Sequence, residues 1–111
     1  MTEFEEFQEE FKKYQKLFGL TGYKVYFKFE PIDSFANITV NQTDMVATVR
    51  LNSRCPKKDK ALRNIKQSAK HEAIHLLTMR LESCARYRYV GEGDISEASE
   101  ELVFKLENLI E

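Results

Sequence analysis

Long apolar runs, cysteine in any quantity and an excess of either charge are all missing from this chain of 111 residues. No stretch approaches the 18 or so consecutive apolar residues of a membrane-spanning helix. Met1 to Glu6 is acidic and lacks the apolar core of a signal peptide. We therefore expect no membrane partner and a cytoplasmic location. The two cysteines, Cys55 and Cys84, lie in no C-x-x-C pair and beside no histidine, so both read as free thiols of a reducing compartment. Seventeen Lys and Arg face eighteen Asp and Glu, for a net charge of −1, which excludes the overall basic field of a nucleic-acid binder. What is present, 42% hydrophobic residues with eight Phe and five Tyr, is enough to build one core, and residues 1–111 are expected to form one α+β domain.

Periodicity divides the chain into helix, three strands, helix and helix. Phe4, Phe7, Phe11, Tyr14 and Phe18 recur at spacings of three and four, one apolar stripe on a helix. Thr2 and Glu5 supply its start signal and Gly19 its stop. From Tyr23 the period falls to two. Tyr23, Val25, Phe27 and Phe29 alternate with polar residues, followed by Ala36, Ile38 and Val40, then by Met45, Ala47, Val49 and Leu51. Short turns between these strands predict a mainly antiparallel meander. After Pro56 a long helix carries Leu62, Ile65, Ala69, Ala73 and Leu76 on one face, widened by Ile74, Leu77 and Leu81. Gly91 and Gly93 end it, and Asp94 is the expected cap of a last helix with its stripe centred on Val103, Leu106 and Ile110.

All of the chain's histidine is spent in one helical turn: His71-Glu72-Ala73-Ile74-His75. Residues four apart share a helix face, with Cβ atoms about 5–6 Å apart. Two imidazoles so placed can reach one metal ion, zinc being the natural choice. Glu72 flanks the same spot and stands where a general base for an activated water belongs. Two histidines and fourteen glutamates shuffled over the chain produce this arrangement in roughly 0.2% of cases, rare enough for a five-residue motif to carry weight.

Two histidines leave a catalytic zinc site one protein ligand short. With no histidine left, the third must be a carboxylate or a thiolate. Cys84 is disfavoured, lying about 13 Å farther along the same helix. Carboxylates cluster at Glu92, Asp94, Glu97, Glu100 and Glu101. Glu97 is favoured, because Glu101 one turn on can accept from the free ring N–H of a liganding histidine. Glu100 is nearest the middle of the apolar stripe and stays open as the alternative. Asp94 and Glu97 also fit a capping box, which would leave Glu97 a structural role.

The stretch Lys70 to Leu77 is similar to the active-site helix of zincin metallopeptidases, and the whole chain resembles the minigluzincins, the minimal members of the gluzincin branch. There, a glutamate helix brings the third ligand, with an acidic or amide residue four positions later; Glu97 and Glu101 match that pattern. The continuation with glycine and a third histidine that marks metzincins is absent from Leu76 to Ser83. The resemblance implies one zinc ion held by His71, His75 and Glu97, with Glu72 as general base in peptide-bond hydrolysis. Tyr87, Arg86 and Arg88 are candidate donors to the transition state. A peptide or protein substrate is implied along the sheet edge, taken to be the third strand, Val46 to Leu51. Small members also resemble latent forms in which a terminal segment fills the cleft, and Asn108 to Glu111 ends in carboxylates.

Two rival readings come from other classes. A structural zinc or interaction domain would have no use for Glu72. A nucleic-acid module would use Arg54, Lys57, Lys58, Lys60, Arg63, Lys66 and Lys70, set against Asp59 alone; such a run is expected instead to be the wet face of a helix.

Overall fold

A computed structural model describes residues 2–54, 64–87, 89–107 and 109. Among these residues three helices and one three-stranded sheet follow in the order expected: α1 (Glu3–Leu17), β1 (Lys24–Glu30), β2 (Ala36–Asn41), β3 (Val46–Asn52), α2 (Ile65–Arg86) and α3 (Glu92–Glu107). The expected contributions of Cys55, Pro56, Lys57, Lys58, Asp59, Lys60, Leu62, Arg63, Arg88, Asn108, Ile110 and Glu111 lie outside the described residues.

The ends of α1 follow from its caps. Thr2 accepts a hydrogen bond from the Glu5 amide at 3.1 Å. At the other end Gly19 takes φ +71°, the Gly19 amide bonds the Lys16 carbonyl, and the Leu20 amide bonds that of Gln15. This paired closure needs a left-handed residue, which glycine supplies without steric penalty. Phe7 and Phe11 are fully buried and meet the Phe27 ring edge-on, with centroids at 6.5 and 5.5 Å. Gln15 is buried on the same face and donates to the carbonyls of Leu20 and Tyr23 at 3.0 and 3.1 Å, tying the helix to the start of β1.

The sheet is not the meander expected. Its order is β1-β3-β2: β3 pairs antiparallel with β2 but parallel with β1. β3 takes the centre because its inward residues, Ala47, Val49 and Leu51, are all fully buried, whereas no residue of β1 or β2 is. Its outward Arg50 bonds both neighbours: Glu30 on β1 at 3.0 Å, and Thr39 and Asn37 on β2 at 2.9 and 3.3 Å. Asn52, at its end, accepts from the amides of Ile32 and Arg54 at 3.2 and 3.0 Å, holding the loop that leaves β1. The third strand is therefore no edge, which corrects the expected substrate-binding edge. Among the described residues the edge strands are β1 and β2, and β2 packs beside α2.

α2 is capped by Asn64, whose side chain accepts from the Gln67 amide at 3.0 Å. It packs Ile65, Ala69, Ala73, Leu76 and Leu77 into the core. Ile74, expected to widen that face, is exposed. α3 starts at Glu92, three residues before the Ile95 start that an Asp94 cap implies. Gly91 precedes it, and the Gly91 amide donates to the Asp94 carboxylate at 3.0 Å, so Asp94 reaches back from the first turn instead of capping it. The apolar stripe expected on α3 does not face inward either. Ala98 is buried and Leu102 packs on the core, while Val103 and Leu106 are exposed. The same rotation of α3 brings Glu97 and Glu101 to Arg80 on α2. No helix of the described residues is long and apolar enough to cross a membrane.

Candidate metal centre

His71 and His75 stand one turn apart on the solvent side of α2, both exposed. Their Nε2 atoms are 3.1 Å apart and their rings are nearly perpendicular, with centroids at 4.7 Å. Two ligands of a tetrahedral ion bound at ~2.1 Å stand about 3.4 Å apart. The pair is thus close to the spacing of one edge of a zinc coordination shell. In the metal-free chain one ring can donate to the other, so the same geometry also satisfies both nitrogens.

Glu72 points away from solvent and is only 5% exposed. Burial pushes its carboxyl above the usual carboxylate range, and the charges of His75 and His71 pull it part of the way back. A raised carboxyl holds a proton more readily than an ordinary one, the direction a general base needs. The three groups share a groove of about 390 Å³. The β2 residues Ala36, Asn37 and Ile38 form one wall, and Met79, Glu82 and Arg86 continue it along α2. A second hollow of about 330 Å³ opens from His71 and Glu72 toward Phe35, Gln67 and Ser68. The cleft therefore runs along both halves of α2, with the histidines at its middle and the β2 edge beside it.

The structure brings His71, Glu72 and His75 together, but does not bring Glu97 to them. Arg80 Nη2 bonds Glu97 at 2.6 Å, and Arg80 Nη1 bonds Glu101. The two carboxylates hold the guanidinium more firmly protonated than usual, Glu97 contributing most. Arg80 follows His75 by five residues, which is about 140° around a helix and about 7.5 Å along it. Among the described residues, no group of three His, Cys, Asp or Glu side chains is arranged to hold a metal. Glu100 is exposed, as is Tyr87, and Arg86 lines the groove. Cys84 is buried, with its sulfur 3.9 Å from the Asp94 carbonyl at the α2–α3 junction.

Sequence reasoning missed Arg80. The signal was available: Glu97 and Glu101 form an i, i+4 acidic pair, which calls for a cation as readily as for a metal. No protein-family model, curated protein or solved structure matches the chain.

Proposed function

We propose that this protein is a zinc-dependent metallopeptidase of the zincin type, built like a minigluzincin and working in the cytoplasm. The observation that carries the reading is the 3.1 Å convergence of the two Nε2 atoms in a groove that the buried Glu72 also lines. The donor set fits the ion: two imidazoles with their nitrogens near ligand spacing, and a carboxylate to complete three protein ligands. His71 and His75 would hold zinc, with Glu97 as third ligand once it leaves Arg80 and Glu100 as the alternative. Zinc bound there would polarise the scissile carbonyl and acidify a water. Glu72 would serve there as the general base that accepts a proton from the attacking water and returns it to the leaving amine. The β2 edge strand would offer backbone groups to an extended peptide or protein substrate lying in the groove.

A second reading, an interaction domain or a structural metal site without catalysis, is favoured by one observation: Glu97 and Glu101 already have a partner in Arg80. Metal content by mass spectrometry separates the two. Near-stoichiometric zinc in wild type, lost in His75→Ala and in either Glu97→Ala or Glu100→Ala, supports the peptidase. Glu72→Gln should then keep the metal and lose peptide cleavage. Zinc retained in both glutamate variants supports the second reading, and no zinc uptake at all ends the peptidase proposal.

A further inference from the structure

We propose that the substrate of this site is an acidic peptide, recognised by Lys66 and Lys70 at the N-terminal half of α2; the inference rests on the peptidase reading. A groove of about 600 Å³ lies between α1 and α2 and reaches His71. It meets the hollow on the β2 side, since Asn64, Gln67 and His71 line both. A chain leaving the histidines in this direction therefore passes onto the α1 side of α2, where Lys66 and Lys70 stand exposed.

The charge of that groove is not cancelled from within. Among the described residues Glu10 is its one acidic wall residue, and Glu10 is bonded to Lys13 at 2.9 Å. Lys70 rests its ammonium 5.8 Å from the centre of the Tyr14 ring instead. Among the described residues neither Lys66 nor Lys70 makes an ion pair. The helix N-terminus, capped by the neutral Asn64 with no acidic residue in its first turn, adds a further positive end. The two lysines are one turn apart, about 6 Å along the axis. Side chains two residues apart on an extended chain are separated by about 6.6 Å. Acidic residues at alternate positions of a bound peptide thus match the lysine spacing. The opposite half of the cleft carries Glu82 beside Arg86 and offers no such excess, so the preference is confined to one side of the scissile bond. The chain's net charge of −1 gives no overall basic field for a long polyanion such as nucleic acid, which favours a short peptide read by two lysines.

The test is binding, read by fluorescence polarisation on Glu72→Gln protein, both zinc-loaded and chelated. The probes are labelled peptides of about ten residues bearing Glu, Gln or Lys at alternate positions. The Glu peptide should bind about five- to tenfold more tightly than the Gln peptide at roughly 0.02 M salt, and the gap should close by about 0.5 M salt. Lys66→Gln/Lys70→Gln should remove most of the gap while leaving the Gln peptide unchanged. Equal affinities, no measurable binding of any peptide, or a gap that survives the double substitution would overturn the proposal. So would a single-stranded oligonucleotide of equal charge that displaces the Glu peptide at lower concentration. A charge preference in protein that takes up no zinc would sink the peptidase reading alone. Cleavage without charge preference would sink this proposal alone.

Discussion

Arg80 and zinc compete for Glu97 if Glu97 is the third ligand, and substituting Arg80 measures that competition. The Arg80 side chain is 35% exposed, Glu97 is 69% exposed and Glu101 is 41% exposed. Pairs this wet are screened and contribute about 0.2–1 kcal/mol each. Releasing Glu97 while Glu101 stays bound therefore opposes metal binding by up to about 1 kcal/mol, and Arg80→Gln should tighten zinc binding by up to about fivefold. The assay is zinc affinity by competition with a fluorescent chelator, at low and at high salt. The gain should shrink at high salt, because salt already weakens the wild-type pair. Glu97→Gln should weaken binding in either background. In the chelated protein the sign reverses: Arg80→Gln removes the clamp that docks α3 and should lower the melting temperature by a few degrees. Zinc affinity unmoved by both Arg80→Gln and Glu97→Gln would refute Glu97 as a ligand. Affinity weakened by Arg80→Gln would show that the clamp helps the site instead of opposing it.

Three further outcomes follow from the same structure. Glu72→Gln should raise the melting temperature of chelated protein at pH 7. Its folded-state pKa lies above the ordinary value of about 4.5, so the ionised form is disfavoured in the fold, and stability falls as pH rises through that interval; wild type and variant should converge below pH ~4, and a lower melting temperature at pH 7 would contradict the burial. Tyr23 is held above its ordinary pKa of 10.0, chiefly by burial, despite the hydrogen bond from Gln42 at 2.8 Å. The unfolded chain ionises first above that value, so stability should drop as pH climbs past about 10, and Tyr23→Phe should flatten the drop in urea unfolding while losing about 1 kcal/mol at neutral pH. Phe11→Ala empties a fully buried site against Phe27 and should lose about 3–5 kcal/mol in urea unfolding; a loss below ~1 kcal/mol would contradict the packing of α1 on the sheet.

Periodicity made the elements legible because burial imposes it locally. Phe7 and Phe11 on α1, Ala47, Val49 and Leu51 on β3, and Ala69, Ala73 and Leu76 on α2 all repeat at the spacing of their element and all face inward. Strand order was not legible, because a short turn says that two strands are near each other, not that they pair. What decides it is which strand can be buried throughout, together with an Arg50 able to reach both neighbours. The histidine pair was legible from spacing alone, since both partners sit on one helix. The contact of Glu97 was not: it depends on how two helices pack, and the bond to Arg80 crosses between them.

That difference also separates the two halves of the candidate centre mechanically. The turn bearing His71, Glu72 and His75 is backed by Ala69, Ala73 and Leu76, each at most 1% exposed, so moving the histidines means opening the core. α3 is held differently. It buries Ala98, makes the wet pairs to Arg80, and returns Lys105 to the Gly19 carbonyl at 3.0 Å, while Ile95, Val103, Phe104 and Leu106 are left exposed. Contacts of that kind place α3 at the low-stability end of the fold, where an element can shift without unfolding the rest. A metal that drew Glu97 to the histidines would work against those few contacts and not against the core. The histidine turn is in this sense a fixed receptor and α3 the adjustable part, so metal binding should alter hydrogen-exchange protection in α3 far more than in α2.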